Sequence, residues 1–66
     1  MISARNQLAG TVKFITLGTV MAEVVMDVGG TEVVAAITRT SVENLGIQVD
    51  DNVQAVIKAT EVMIQK

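Results

Sequence analysis

The segment VMAEVVMDVGGTEVVAAIT, residues 20–38, carries the clearest secondary-structure signal in the chain. Its first half alternates: Ala22, Val24, Met26 and Val28 share one face of an extended chain, and Glu23, Val25 and Asp27 share the other. Two consecutive glycines, Gly29 and Gly30, then tolerate the positive φ angles of a tight hairpin turn. The second half is largely apolar on both faces after Glu32. The segment therefore predicts two paired strands, the second covered by its own core and by another chain.

The rest of the chain predicts three more strands and one short helix. The stretch Thr40-Ser41-Val42-Glu43 fits the S/T-x-x-E capping box, and Gly46 is well placed to end the helix. The predicted elements are strands Thr11–Leu17, Val20–Val28 and Thr31–Thr38, a helix Ser41–Leu45, a turn at 50–52, and strands Val53–Ala59 and Glu61–Gln65. Five short strands with a helix between the third and fourth predict an all-β fold, a small OB-like barrel.

The size and composition predict a single domain, residues 1–66, that self-associates. A chain of 66 residues buries only about 60% of its unfolded surface and is marginal as a monomer. Cysteine and histidine are both absent, which excludes disulfides and the usual zinc sites. Half of the residues are hydrophobic, more than one small core needs. We therefore expect a homo-oligomer with an apolar interface.

The charge balance disfavours nucleic acid as a partner. The net charge is −2, and the only aromatic residue is Phe14, whereas single-strand binders use basic grooves and aromatic platforms. Polar residues follow Met1 and Ile2 at once, so no signal peptide is expected. An apolar run of about 20 residues, which a membrane helix needs, is also missing. The sequence thus predicts a cytoplasmic protein with neither a nucleic-acid nor a membrane partner.

Catalytic chemistry is not expected either. Without histidine or cysteine there is no Ser-His or Cys-His nucleophile pair. Asp50 and Asp51 lack the surrounding spacing of a calcium loop and fit a solvated turn. Residues 28–31, VGGT, have the spacing of neither a P-loop nor a dinucleotide fingerprint. We therefore predict no enzyme, no catalytic residues, no cofactor and no bare metal ion.

A few basic and small polar residues fit an oxyanion site. Arg5 lies beside Ser3 ahead of the first strand, and Lys58 is followed by the small residues Ala59 and Thr60. Such neighbours let backbone N–H groups approach an anion closely. At this point a solvated Lys58 and an ion pair between Arg5 and Glu61 remain open alternatives.

Two hydroxyl residues near the predicted helix start belong to the same hypothesis. Ser41 is in the first turn, where N–H groups lack partners, and Thr38 is three residues earlier. Helix capping alone would also explain Thr40 and Ser41. Arg39, between strand and helix, is expected to be solvated.

Four stretches, taken in order, resemble the molbindins, small Mop-type molybdate-binding proteins built on the TOBE domain. They are SARNQLAGTV (3–12), GTVMAEVVMD (18–27), AAITRTSVENLGI (35–47) and VQAVIKATEVMI (53–64). The specific motifs are S-x-R-N at the start, I-T-x-x-S before the helix and I-K-A-[ST] near the end. The resemblance implies an OB-like barrel, a hexamer arranged as a trimer of dimers, and molybdate or tungstate bound between subunits for storage and homeostasis.

The resemblance also implies site residues. Matched motif by motif, one chain supplies Ser3, Arg5, Lys58 and Ala59, and a neighbouring chain supplies Thr38 and Ser41. Ala59 stands where some relatives have serine, which leaves only its backbone N–H. A second class of site near the threefold axis is associated with residues 18–23, around Thr19 and Val20. The alternatives are an OB-like structural or interaction module that has lost its ligand and a nucleic-acid-binding OB domain.

Overall fold

A computed structural model describes residues 4–66 as one antiparallel sheet with a short helix at one end. The elements are β1 (Asn6–Leu17), β2 (Met21–Val28), β3 (Thr31–Thr38), α1 (Arg39–Leu45), β4 (Asn52–Ile57) and a 3₁₀ turn, Ala59–Glu61. The strand order is β3-β2-β1-β4. The predicted all-β class with one helix between the third and fourth strands is therefore confirmed.

The predicted hairpin between β2 and β3 is present. The two strands pair without a break from Met21 opposite Thr38 to Val28 opposite Thr31. Gly29 and Gly30 both have positive φ, 57° and 90°, as the turn requires. The predicted inward face of β2 forms most of the core, with Ala22, Val24 and Met26 at most 4% exposed. The outward face of β3 is not covered within the chain, however, since Val34 is 60% exposed.

The first strand, β1, is longer than predicted and pairs with two other strands. β1 begins at Asn6 rather than Thr11, because its first half pairs with β4 while its second half pairs with β2. A register shift between Val12 and Phe14 marks the bulge that lets one strand change direction between them. Gly10 lies at the crowded side of this bend, where an added Cβ would be 2.6 Å from the Asp27 carbonyl oxygen.

The helix starts two residues earlier than predicted, and its cap is a different threonine. The Thr38 hydroxyl oxygen accepts a hydrogen bond from the Ser41 backbone N–H at 3.0 Å, so Thr38 is the N-cap. The capping box at Thr40 is therefore wrong: β3 passes directly into the helix, which places the cap at the last strand residue. Gly46 ends the helix in the left-handed conformation as predicted, with φ of 63°.

The fifth predicted strand, Glu61–Gln65, is not present in the described part of the chain. Instead β4 ends at Ile57, the 3₁₀ turn follows Lys58, and residues 62–66 have no regular secondary structure. The structure is thus a four-stranded, unclosed sheet rather than a closed five-stranded barrel. A strand needs an edge to pair with, and this segment pairs with no strand among residues 4–60. Across residues 4–66, no helix has the length and apolar character to cross a membrane.

Candidate functional site

Arg5 and Lys58 lie just beyond the same end of the β1–β4 ladder. The last pair of the β1–β4 ladder joins Asn6 to Ile57, so the next two positions along the antiparallel register are Arg5 and Lys58. Both residues are exposed. Two like charges at facing positions repel unless an anion lies between them or solvent screens them. The sheet register therefore puts the two cationic residues that the sequence singled out at the same end of the β1–β4 ladder.

Neither cation is neutralised by a carboxylate in the described structure. The one ion pair found within residues 4–66 joins Arg39 to Glu43, so the alternative pairing of Arg5 with Glu61 is not formed. Ala59 follows Lys58 as the first residue of the 3₁₀ turn and is exposed. A backbone N–H at the start of such a turn has no acceptor inside the turn. Ser3, the remaining residue predicted for this end, lies outside the described residues.

The two predicted hydroxyl groups are also adjacent. The Thr38 hydroxyl donates to the Ser41 hydroxyl oxygen at 2.7 Å, in addition to accepting from the Ser41 backbone N–H. Thr38 is exposed and Ser41 is half-buried. Capping therefore involves Ser41 as expected, but with Thr38 in place of Thr40, and these bonds hold both hydroxyls in one orientation. Because the Thr38 hydrogen is donated to Ser41, the Ser41 hydroxyl hydrogen is the one that this pair leaves for another acceptor.

The cationic pair and the hydroxyl pair lie at opposite ends of the same chain. Thr38 pairs with Met21, next to the turn that follows the end of β1, whereas Arg5 precedes its start. The twelve residues of β1, which bends at the bulge between Val12 and Phe14, lie between the two positions in the sheet. The register of one chain therefore places the two pairs beyond opposite ends of β1.

Thr38 shares a shallow concavity with the two residues predicted for a second site. The concavity has a volume of about 540 Å³ and is lined by Thr19, Val20, Thr38, Arg39, Thr40 and Glu43. Residues Thr19 and Val20 form the loop before β2, and both are exposed. The structure thus brings the predicted second site next to the hydroxyl pair rather than next to Arg5 and Lys58.

Arg39 also lines this concavity, and the sequence did not predict its structural role. Its Nη1 donates to the Gly18 carbonyl oxygen at 3.3 Å, and its Nε is 3.7 Å from the Glu43 carboxylate. Its backbone N–H also donates to the Val20 carbonyl at 2.8 Å. Arg39 is therefore half-buried rather than solvated, and it ties the helix start to the loop before β2. The i,i+4 spacing of Arg39 and Glu43 on the helix was the available signal.

The fold, with Arg5 and Lys58 at one end and Thr38 and Ser41 at the other, defines a small β module. Its sequence has no histidine or cysteine with which to form a Ser-His or Cys-His nucleophile pair. No cluster of three or more metal-ligating side chains occurs in the described region. The sequence profile of the TOBE domain matches residues 2–64, and the chain belongs to that family. The resemblance stated from the sequence motifs is thereby confirmed.

Solved structures and curated relatives agree with this assignment. A molybdate-binding protein from Sporomusa ovata superposes with a TM-score of 0.96 at 55% identity, covering 100% of this chain and 98% of that one. MopII from Clostridium pasteurianum gives 0.93 at 45%, covering both chains completely. Molybdenum-pterin-binding protein 3 of the same organism is 48% identical over 96% of this chain and 94% of its own. The molybdenum transport protein ModE of Herbaspirillum seropedicae is 36% identical over 94% of this chain but only 23% of its own length.

Proposed function

We propose that this protein binds molybdate and tungstate reversibly, at sites shared between neighbouring chains of a homo-oligomer. The observation that carries the proposal is the placement of Arg5 and Lys58 at one end of the sheet and of Thr38 and Ser41 at the other. Each end holds half of the donors that a tetrahedral anion needs, and the end of one chain complements the opposite end of its neighbour. The similar structure from Sporomusa ovata is that of a molybdate-binding protein, which supports molybdate as the anion.

The charges and donors match such a ligand. Molybdate is a dianion at neutral pH, and Arg5 with Lys58 provides two positive charges. Buried ions require both charge pairing and hydrogen bonds. The hydroxyls of Thr38 and Ser41, the Ser3 side chain and the Ala59 N–H supply the remaining donors. Reversible binding of the anion needs no covalent step, so the proposed function is that of a binding protein and not of an enzyme, with no cofactor.

The proposed role is cytoplasmic storage and homeostasis of the anion in a hexamer, a trimer of dimers. A site completed by two chains links binding to assembly, because a ligand that binds only the assembled form stabilises it. Thr19 and Val20, beside Thr38 in the concavity described above, are proposed for a second class of site at the threefold axis. Sedimentation velocity with and without molybdate measures the assembly, and native mass spectrometry counts bound anions.

Calorimetric titration with molybdate, tungstate and sulfate tests the binding itself. We expect Arg5→Ala and Lys58→Ala each to weaken molybdate binding about ten- to a hundredfold, the equivalent of roughly 1.5–3 kcal/mol for a charge-assisted hydrogen bond. Lys13→Ala is the matched control, because Lys13 is an exposed cation within β1 and away from both ends. No molybdate binding at micromolar protein would contradict the proposal, and so would equal losses in all three variants.

A second candidate is an interaction module without a ligand. The exposure of apolar side chains such as Phe14 (62%), Val34 (60%) and Leu45 (71%) favours it. This function predicts the same oligomer with and without molybdate and no effect of Arg5→Ala. The titrations above therefore separate the two candidates, and retention of single-stranded DNA or RNA at low salt would favour a nucleic-acid-binding domain instead.

A further inference from the structure

Arg39 contacts the loop before β2 at two points, one on each side of Thr19. Its backbone N–H donates to the Val20 carbonyl at 2.8 Å, and its Nη1 donates to the Gly18 carbonyl at 3.3 Å. The Gly18 N–H in turn donates to the Met21 carbonyl at 2.8 Å and closes the loop on itself. The loop is exposed and lies outside the helices and strands, so its shape depends on these bonds.

The contact between Arg39 and Gly18 determines the direction of the next backbone N–H. A trans peptide group is planar, and its C=O and N–H point in opposite directions. With the Gly18 carbonyl bonded to Arg39, the Thr19 N–H therefore points away from the guanidinium. That N–H donates to no acceptor among the residues that the structure describes. The Arg39 side chain thus sets the orientation of a backbone donor that a ligand can use.

Glu43 makes Arg39 itself a poor ligand for an anion. The Glu43 carboxylate is 3.7 Å from the Arg39 Nε and lines the same concavity. The two side chains are 43% and 62% exposed, so solvent screens their attraction and the pair adds little to stability. A carboxylate at this position repels a dianion and offsets the charge of Arg39. The guanidinium is therefore better placed to hold the loop than to bind the anion.

We propose that Arg39 is the positioning residue of the second class of anion site, the one assigned above to Thr19 and Val20. It holds the loop before β2 against the first residue of α1, so that the Thr19 N–H keeps one direction. This inference rests on the proposed function, because it concerns one of the proposed sites. The hydroxyls of Thr38 and Ser41 are held by their own two hydrogen bonds, which do not involve the Arg39 side chain. Loss of that side chain therefore weakens the second class of site and spares the first.

Amide hydrogen exchange of the full chain without molybdate, followed by NMR, tests the positioning. Arg39→Met keeps an unbranched apolar side chain and removes the donor to the Gly18 carbonyl. We expect the Gly18 N–H to exchange about two- to tenfold faster in this variant, the factor that corresponds to one lost hydrogen bond. The Gly30 N–H is the internal control, because it donates to the Asp27 carboxylate at 3.0 Å in the turn between β2 and β3. Unchanged exchange at Gly18, or equal acceleration at Gly30, would overturn the inference.

Calorimetric titration with molybdate measures the consequence for binding. A Lys58→Met background weakens the first class of site, so that the second class is observed by itself. Arg39→Met in this background is expected to weaken the second class about two- to tenfold. Arg39→Lys keeps a donor and the charge and is expected to restore most of the affinity. Lys13→Met is the matched control, because it removes an exposed cation of β1, and it is expected to leave the affinity unchanged.

The double variant Arg39→Met with Glu43→Gln separates positioning from charge. If Arg39 acted by offsetting the Glu43 carboxylate, removing both charges would restore the affinity, and the effect of Arg39→Met would shrink at high salt. Positioning instead predicts that the double variant binds as weakly as Arg39→Met, by the same factor at low and high salt. Restored affinity in the double variant would overturn the inference. Faster Gly18 exchange in a protein without a second class of molybdate site would refute only that proposed site, whereas unchanged Gly18 exchange with an intact second class would refute only the role of Arg39.

Discussion

Complementation between two defective chains is the sharpest test of a site shared between subunits. One variant, Arg5→Gln with Lys58→Met, removes the cationic pair. The other, Thr38→Val with Ser41→Ala, removes the hydroxyl pair. Because the two pairs lie at opposite ends of one chain, every site in either pure oligomer lacks one half. We expect neither pure oligomer to bind molybdate at concentrations that saturate the unmodified protein.

Mixed oligomers of the two variants are expected to regain binding. Where chains assort at random, each site draws its cationic pair and its hydroxyl pair from different chains, so roughly a quarter of the sites have both pairs intact. Loss of two charge-assisted contacts at about 1.5–3 kcal/mol each leaves the other sites at least a hundredfold weaker, and they do not contribute at the same concentration. The expected stoichiometry is therefore about one quarter of that of the unmodified oligomer.

Co-expression with two different affinity tags isolates the mixed oligomers, and native mass spectrometry counts both chains and bound molybdate in the same particle. The control is a mixture in which one chain carries both sets of substitutions and the other chain carries none. Mixed oligomers that contain both defective variants but bind no molybdate would refute the shared site. Full binding by either pure variant would refute the assignment of the residues that it lacks.

Three other predictions concern stability and ligand linkage. Thr38→Val, measured without molybdate, is expected to lower the free energy of unfolding by about 1 kcal/mol, because the cap to the Ser41 N–H is lost. Thr40→Val is its control by thermal denaturation, and an equal loss there would restore the capping box at Thr40. Gly10→Ala is expected to cost more than about 2 kcal/mol, because the added Cβ would be 2.6 Å from the Asp27 carbonyl oxygen; an unchanged denaturation midpoint would contradict that close approach. Molybdate at a hundred times its dissociation constant is expected to stabilise the protein by about 2.7 kcal/mol per site, and removing the anion by dialysis should reverse the gain in melting temperature; no shift would indicate that the folded protein does not bind it.

Several features were readable from the sequence because they depend on near neighbours. The alternation of residues 22–28 and the paired glycines after it predicted the hairpin and its inward face correctly. Gly46 was placed correctly at the helix end. The left-handed conformation that it adopts has a low conformational energy only for glycine and a few other residue types. The order of the three motifs along the chain identified the family, and the lack of histidine and cysteine disfavoured catalysis.

Other features depended on contacts between residues distant in the chain. The extension of β1 back to Asn6 follows from pairing with β4, some 50 residues later, which no local pattern records. The strand predicted at 61–65 has a suitable alternation, but it pairs with neither open edge of the described sheet. Arg39 appeared to be an isolated surface cation until the fold placed the Gly18 carbonyl beside it.

The candidate site shows the same distinction between features that depend on near neighbours and features that depend on long-range contacts. The chain's residue types and motif spacing by themselves selected Arg5, Lys58, Thr38 and Ser41 as candidate anion ligands, because charge and hydroxyl chemistry belong to the side chains. Only the tertiary structure determined where they lie relative to one another. The antiparallel register puts Arg5 and Lys58 beyond one end of the β1–β4 ladder and Thr38 opposite Met21, beyond the other end of β1. Strand pairing is a long-range property, so the sequence alone could not show that the two pairs lie at opposite ends of β1.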